Sequence, residues 1–236
     1  MEFSNIIKGD LTLPEETRDD SGLDHHELRD RLIQAIHPHV CFDGWTFAAL
    51  DNAASDLGVD KGVARLLFTG GARDLIAHAS ALGDRMMEVE YRARDLHDMR
   101  IRDKARMALM IRFQMMQHNR EAVKRAIAWL MLPGNQLQAL QLTGQSCDRI
   151  WRLLGDRSTD WNWYSKRTLL AGVYGSAIIV WTLDESDDLE VTEAFIARRI
   201  DNVLAIGGGL AKRSAALKRI GAVRFRTRPA YKMKMR

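Results

Sequence analysis

Cysteine is nearly missing from this chain. Cys41 and Cys147 are the only two in 236 residues, too few for a disulfide scaffold or a cysteine-built zinc site, and such usage points to a reducing, cytoplasmic setting. Proline is scarce as well, at positions 14, 38, 133 and 229, which leaves long segments free to be helical. Long apolar runs are lacking. The longest uncharged stretch, 168 to 183 (TLLAGVYGSAIIVWTL), has sixteen residues and as a helix would reach about 24 Å, against a bilayer core of about 30 Å. A buried helix is expected there. The opening residues, MEFSNIIKGDLTLPEETRDD, hold no apolar core of a secretory signal and are acidic, so no cleaved leader is expected. No Walker A or Gly-x-Ser-x-Gly sequence occurs, and Gly207-Gly208-Gly209 lacks the spacing and preceding strand of a dinucleotide loop. It reads as a hinge.

What is present describes a globular chain, with 46% hydrophobic and 28% charged residues, long enough for one large core or two small ones. The net charge of +4 hides a polarity along the sequence. Residues 1 to 40 carry four basic and nine acidic residues, whereas residues 210 to 236 carry ten basic and no acidic ones. The basic character therefore belongs to the tail, and any polyanion should meet the C-terminus.

Apolar residues recur at spacings of three and four, which predicts an all-α chain without strands. Helices are expected near 24–38, ending at Pro38 and facing inward with Leu28, Leu32, Ala35 and Ile36, then at 46–57 and 60–67 with a break at Gly58. On 73–90 the stripe runs through Leu75, Ala79, Leu82, Met86 and Val89. Further helices are expected over 101–119, 121–132, 134–154, 160–183 and 188–206, the last capped by Ser186.

The segment AALDNAASDLGVDKGVARLLF, residues 48 to 68, resembles the helix-turn-helix of TetR-type regulators. Arg65 and Leu67 stand where that family usually places a phosphate-contacting Tyr and His, and Asp60 takes the usual Ser or Thr place. Residues 24 to 75 hold five basic and eight acidic residues, the wrong sign for a phosphate-binding surface. A packing unit without specific nucleic-acid binding is expected. The alternative is a transcriptional regulator sensing a hydrophobic ligand.

The runs STDWNWYSKRTLL (158–170), AGVYGSAIIVWTLDES and AFIARRIDNV (194–203), with LLFTGGARDLIAH upstream (66–78), resemble the ninth coenzyme Q biosynthesis protein family, TetR-like lipid-binding accessory proteins of ubiquinone synthesis. The similarity extends over about 24 to 206. It implies a TetR-like fold with a helix-turn-helix-like unit (24–70) and a helical lipid-binding and dimerisation domain (71–208), which the charge pattern flanks with an acidic extension (1–23) and a basic tail (209–236). It further implies a homodimer without catalysis of its own, which binds an isoprenoid lipid or quinone intermediate and supports demethoxyubiquinone hydroxylase, a di-iron enzyme. The partner surface carries over to Trp161, Trp163, Tyr164 and Arg167. Thioethers and aromatics suit a pocket for a flexible chain, and Met107, Met110, Trp129, Leu170, Tyr174 and Trp181 are the residues expected to line it.

The residues themselves offer no metal chemistry. A di-iron bundle needs Glu-x-x-His steps, yet the residues three before the seven histidines are Gly22, Leu23, Gln34, Ile36, Leu75, Arg94 and Met115. His37, His39 and Cys41 cluster without a fourth ligand nearby, so no cofactor is expected. In the tail, which departs from the apolar C-terminal helix of better-known family members, Lys212, Arg213, Leu217, Lys218 and Arg219 can share a short basic amphipathic helix, followed by alternating Arg224, Arg226 and Arg228. An anionic membrane surface, peripheral at the inner face of the cytoplasmic membrane, is the partner expected for it.

Overall fold

A computed structural model of the chain describes residues 25–155 and 161–203, the side chains of 161–165 excepted. The extension 1–23 and the tail 209–236, with every membrane-binding residue named above, lie outside the described residues, as do the side chains of Trp161, Trp163 and Tyr164. Eight helices come in the order α1 His25–Asp43, α2 Phe47–Asp56, α3 Lys61–Leu67, α4 Ala72–Arg92, α5 Ile101–Gln117, α6 Arg120–Met131, α7 Gln136–Leu153 and α8 Trp161–Leu183. A ninth, α9, occupies 190–203, and no strand occurs among the described residues.

The N-terminal turn signals act as their chemistry requires. Thr46 Oγ1 accepts the Ala49 N–H at the start of α2, and Asp60 accepts the Val63 N–H at 3.0 Å to start α3. Between them Gly58 adopts φ +66°, a left-handed conformation that favours glycine.

Three expectations need correction. First, α1 does not stop at Pro38 but continues to Asp43. Proline has no N–H for the carbonyl of residue 34, and the His37 Nδ1–H donates to the Gln34 carbonyl at 3.3 Å. The freed acceptor is satisfied from the neighbouring side chain, and Ile36 and Val40 stay fully buried. Second, the α4 stripe does not run straight. Leu75, Ile76 and Leu82 are buried, but Met86 and Val89 are exposed and Met87 and Tyr91 are buried instead. The face advances by one residue because α4 leaves one core and enters another. Third, Ser186 does not cap the last helix. Asp184 does so, accepting the Thr192 N–H at 2.8 Å and its hydroxyl at 2.6 Å, while Ser186 itself donates to Asp184.

The two cores meet side by side. One gathers Leu32, Ile36, Trp45, Leu50, Phe68 and Leu75 around α1 to α4. The other gathers Met87, Leu109, Phe113, Ile150, Trp181 and Ile196 among α4, α5 and α7 to α9. Trp45 ties α6 to the first core by donating its indole N–H to the Ala122 carbonyl at 2.9 Å. Arg120 serves the far end of α8, with Nη2 on the carbonyls of Trp181 (3.0 Å) and Asp184, and its guanidinium 5.4 Å over the Trp181 ring. A cation at this end complements the helix dipole.

Candidate functional site

A cavity of about 390 Å³ opens along the seam, within the range of small-molecule sites. Six helices and the α1–α2 turn supply its wall. Ile33, Trp45, Ile76 and Leu82 come from the first core, Met115, Met116, Val123, Ile127 and Ile178 from the second. Exposed Met86, Met131 and Ile179 stand at its edge. Sequence periodicity explains which methionines face it. On α5, positions 112, 115 and 116 share a face at steps of three and four, whereas 107 and 110 lie on the opposite side of the same helix.

Of the six residues expected to line a pocket, Tyr174 does so. Met110, Leu170 and Trp181 are instead buried in the second core. Leu170 and Trp181 share the α8 face of Tyr174 but sit one turn before it and two turns beyond it. Met107 packs against the same core, and Trp129 packs against the first. The residues missed include bulky ones on other helix faces, such as Met115, Met116 and Ile178, and small or polar ones such as Ala79, Ser80 and Gly83 of α4. The small ones gave no signal in a search for bulky side chains.

One part of the wall is charged. Arg112, only 7% exposed, donates Nε–H to Asp84 at 3.0 Å and Nη2–H to the Ser80 carbonyl at 3.4 Å. Ser146 Oγ lies 2.9 and 2.8 Å from the two Asp84 oxygens, and its hydroxyl donates to that carboxylate, which can only accept. Burial works against the Arg112 charge, yet Tyr174 and Asp84 hold its pKa above the usual value. Burial also lifts the Tyr174 phenol to about 12. Gly83 makes room for this arrangement, since a Cβ there would lie 2.7 Å from Arg112 Nη1 and 2.9 Å from its Cζ.

The expected partner surface is altered at one of its four positions. Arg167 is buried, not presented to solvent, with Nε 2.6 Å from Asp148, because that carboxylate on α7 draws the guanidinium between the two helices. His37, His39 and Cys41 are separated in role. His39 Nε2 lies 2.6 Å from Asp56, His37 serves the Gln34 carbonyl and Cys41 Sγ–H points to the His37 carbonyl. Among the described residues no group of three or more His, Cys, Asp or Glu could hold a metal ion, and no helix is long and apolar enough to cross a membrane. On α3, Arg65 is tied to Asp51 by both Nε (2.9 Å) and Nη2 (2.5 Å).

Comparison with known proteins shows what the chain is similar to. The COQ9 family model matches residues 137–207. The mitochondrial ubiquinone biosynthesis protein COQ9 of Rattus norvegicus is 31% identical over 192 residues, covering 77% of this chain and 60% of the relative. That of Homo sapiens is 29% identical over 187 residues, with 77% and 59% covered. The chain thus spans about 60% of the length of these mammalian relatives. A TetR transcriptional regulator from Nitrosomonas europaea superposes with a TM-score of 0.61 at 16% identity, over 75% of this chain and 98% of the other. The expectation of a cytoplasmic location, at the inner face of the cytoplasmic membrane, is overturned, since the relatives are named as mitochondrial. In sequence the chain is a relative of the COQ9 proteins, built on a TetR-like all-α fold.

Proposed function

We propose that this chain is a non-enzymatic, lipid-binding accessory protein of ubiquinone biosynthesis, holding an isoprenoid quinone intermediate and supporting the hydroxylation of demethoxyubiquinone by a partner enzyme. The observation that carries this reading is the seam cavity, whose wall is built mostly of apolar side chains and includes four methionines, Met86, Met115, Met116 and Met131. Unbranched thioethers adapt to a flexible chain at little cost. Lipids extracted from the purified protein and identified by mass spectrometry test the proposal. A polyprenyl lipid in near-stoichiometric amount is the expected result. Protein that is empty, or carries only bulk phospholipid, would refute it.

The chain acts as a homodimer in this proposal, through α8 and α9. Leu169, Gly172, Ile179 and Leu183 on α8 are exposed at helical spacing, with Val191 of α9 also exposed, and such a stripe is normally covered by a partner. Trp163 and Tyr164, with Trp161 in support, bind the hydroxylase, and the basic tail attaches to an anionic leaflet. Trp163→Ala should weaken hydroxylase binding by on the order of 2 kcal/mol at an unchanged Tm. Flotation with anionic vesicles should be lost on truncation after Gly209 and should fall steeply with salt.

A further inference from the structure

We infer that Arg112 makes the cavity selective for a neutral hydrogen-bond acceptor, a carbonyl or similar oxygen borne on an apolar chain, and that Asp84 excludes anionic head groups. The inference rests on the lipid-binding reading above and adds to it the chemistry of the head group.

A guanidinium has five N–H donors. Arg112 gives one to Asp84 and one to the Ser80 carbonyl. The rest, including both on Nη1, have no protein partner among the described residues, although the side chain is more than nine-tenths buried and forms part of the cavity wall. These N–H groups open onto the cavity, and charged donors at a mostly apolar wall gain most from an acceptor placed on them, so this stretch of wall favours an occupant that brings one. Gly83, on the same wall, has no side chain that could cover Nη1.

The charge of the acceptor is limited by Asp84. Its carboxylate already neutralises Arg112 and is itself 3% exposed. A carboxylate or phosphate on the ligand would bring a second negative charge beside the first in a poorly solvated space, where charges interact strongly. A neutral carbonyl accepts from the spare N–H groups and brings no such repulsion. Ser146 has a positioning role. Its hydroxyl holds the Asp84 carboxylate and so fixes the direction in which the guanidinium presents its free edge.

Three probes with matched tails separate these effects: a decyl-substituted benzoquinone, undecanoic acid and decylbenzene. Each is measured by competition against Nile red bound to the full-length purified protein. The wild-type protein should prefer the quinone to decylbenzene by about tenfold, the scale of a hydrogen bond from a charged donor, and should bind the acid more weakly than the quinone. Arg112→Lys retains the charge next to Asp84 but loses the planar donor edge, so it should abolish the quinone preference while decylbenzene binds as before. Asp84→Asn removes the repelling charge and should raise affinity for the acid by about tenfold. This second variant gives a gain of binding, so a loss of stability cannot imitate it. Equal binding of quinone and decylbenzene by the wild type would overturn the role of Arg112. An unchanged acid affinity in Asp84→Asn would overturn that of Asp84. Failure of all three probes to compete would remove the cavity as a lipid site, and with it the proposed function.

Discussion

At the scale of single residues, two positions given no role by the sequence pattern hold the site and the chain together. Gly83 is one, because the Arg112 guanidinium occupies the space its Cβ would need. Gly83→Ala should therefore displace Arg112 from Asp84 and destabilise the protein by about 1–3 kcal/mol, the usual range for overpacking. A thermal melt would detect this as a lowered Tm. Asp184 is the other. Burial raises its pKa, but hydrogen bonds from Ser186 and Thr192 outweigh burial and bring it to about 2, below the ordinary 3.8. A depressed carboxylate pKa stabilises the fold above the unfolded value and loses that contribution as pH falls through the folded one. Wild-type stability should thus drop between about pH 4 and pH 2. Asp184→Ala should cost up to ~2 kcal/mol at neutral pH and flatten this acid limb, as denaturant titrations at several pH values would reveal.

At the scale of elements, α1 and α8 show how helix ends and interiors are repaired locally. The His37 ring stands in for the N–H that Pro38 lacks. His37→Ala should leave the Gln34 carbonyl without this donor and cost roughly 1 kcal/mol, with the loss read from helical ellipticity on melting. Arg120 closes the last turn of α8 from another helix, and Arg120→Leu should speed amide exchange at the α8 terminus ahead of the rest of that helix. These repairs also mark where the sequence stops being legible. Period and caps were enough for the order of helices, because Gly58, Asp60 and Pro133 act within a turn of themselves. Pro38 misled because its compensation came from a side chain whose position depends on the helix already being formed. The drift of the α4 face was hidden for a related reason. A straight stripe assumes one partner surface, and α4 has two. Arg167 was expected on a partner surface and Arg112 carried no expectation at all, because their partners Asp148 and Asp84 are distant in sequence and meet them only in the fold.

At the scale of the whole molecule, the helix-turn-helix unit is a component of the first core. Its α1 and α2 carry Leu32, Ile36 and Leu50 into the first core, and the one cation at a phosphate-contacting position is held by Asp51. Gel-shift assays against genomic fragments should find no sequence-specific retention sensitive to Arg65→Ala, since an ion-paired guanidinium in an acidic unit gains little from phosphate. A shifted band that survives removal of residues 210–236 but disappears in that variant would contradict this.

The division of the interior into two cores has a consequence for the life of the protein in the cell. The cavity lies along the boundary, with residues of both cores in its wall, so in the proposed function an occupant supplies packing that the polypeptide alone does not. A ligand that binds only the closed form stabilises it by mass action. Deprived of lipid, the two halves should part more often and present the chain to proteases, whose attack follows the population of opened molecules. The abundance of the protein would then follow the supply of its lipid, with no regulator of its gene involved. Depletion of polyprenyl precursor in living cells, with transcript held constant, should shorten its half-life.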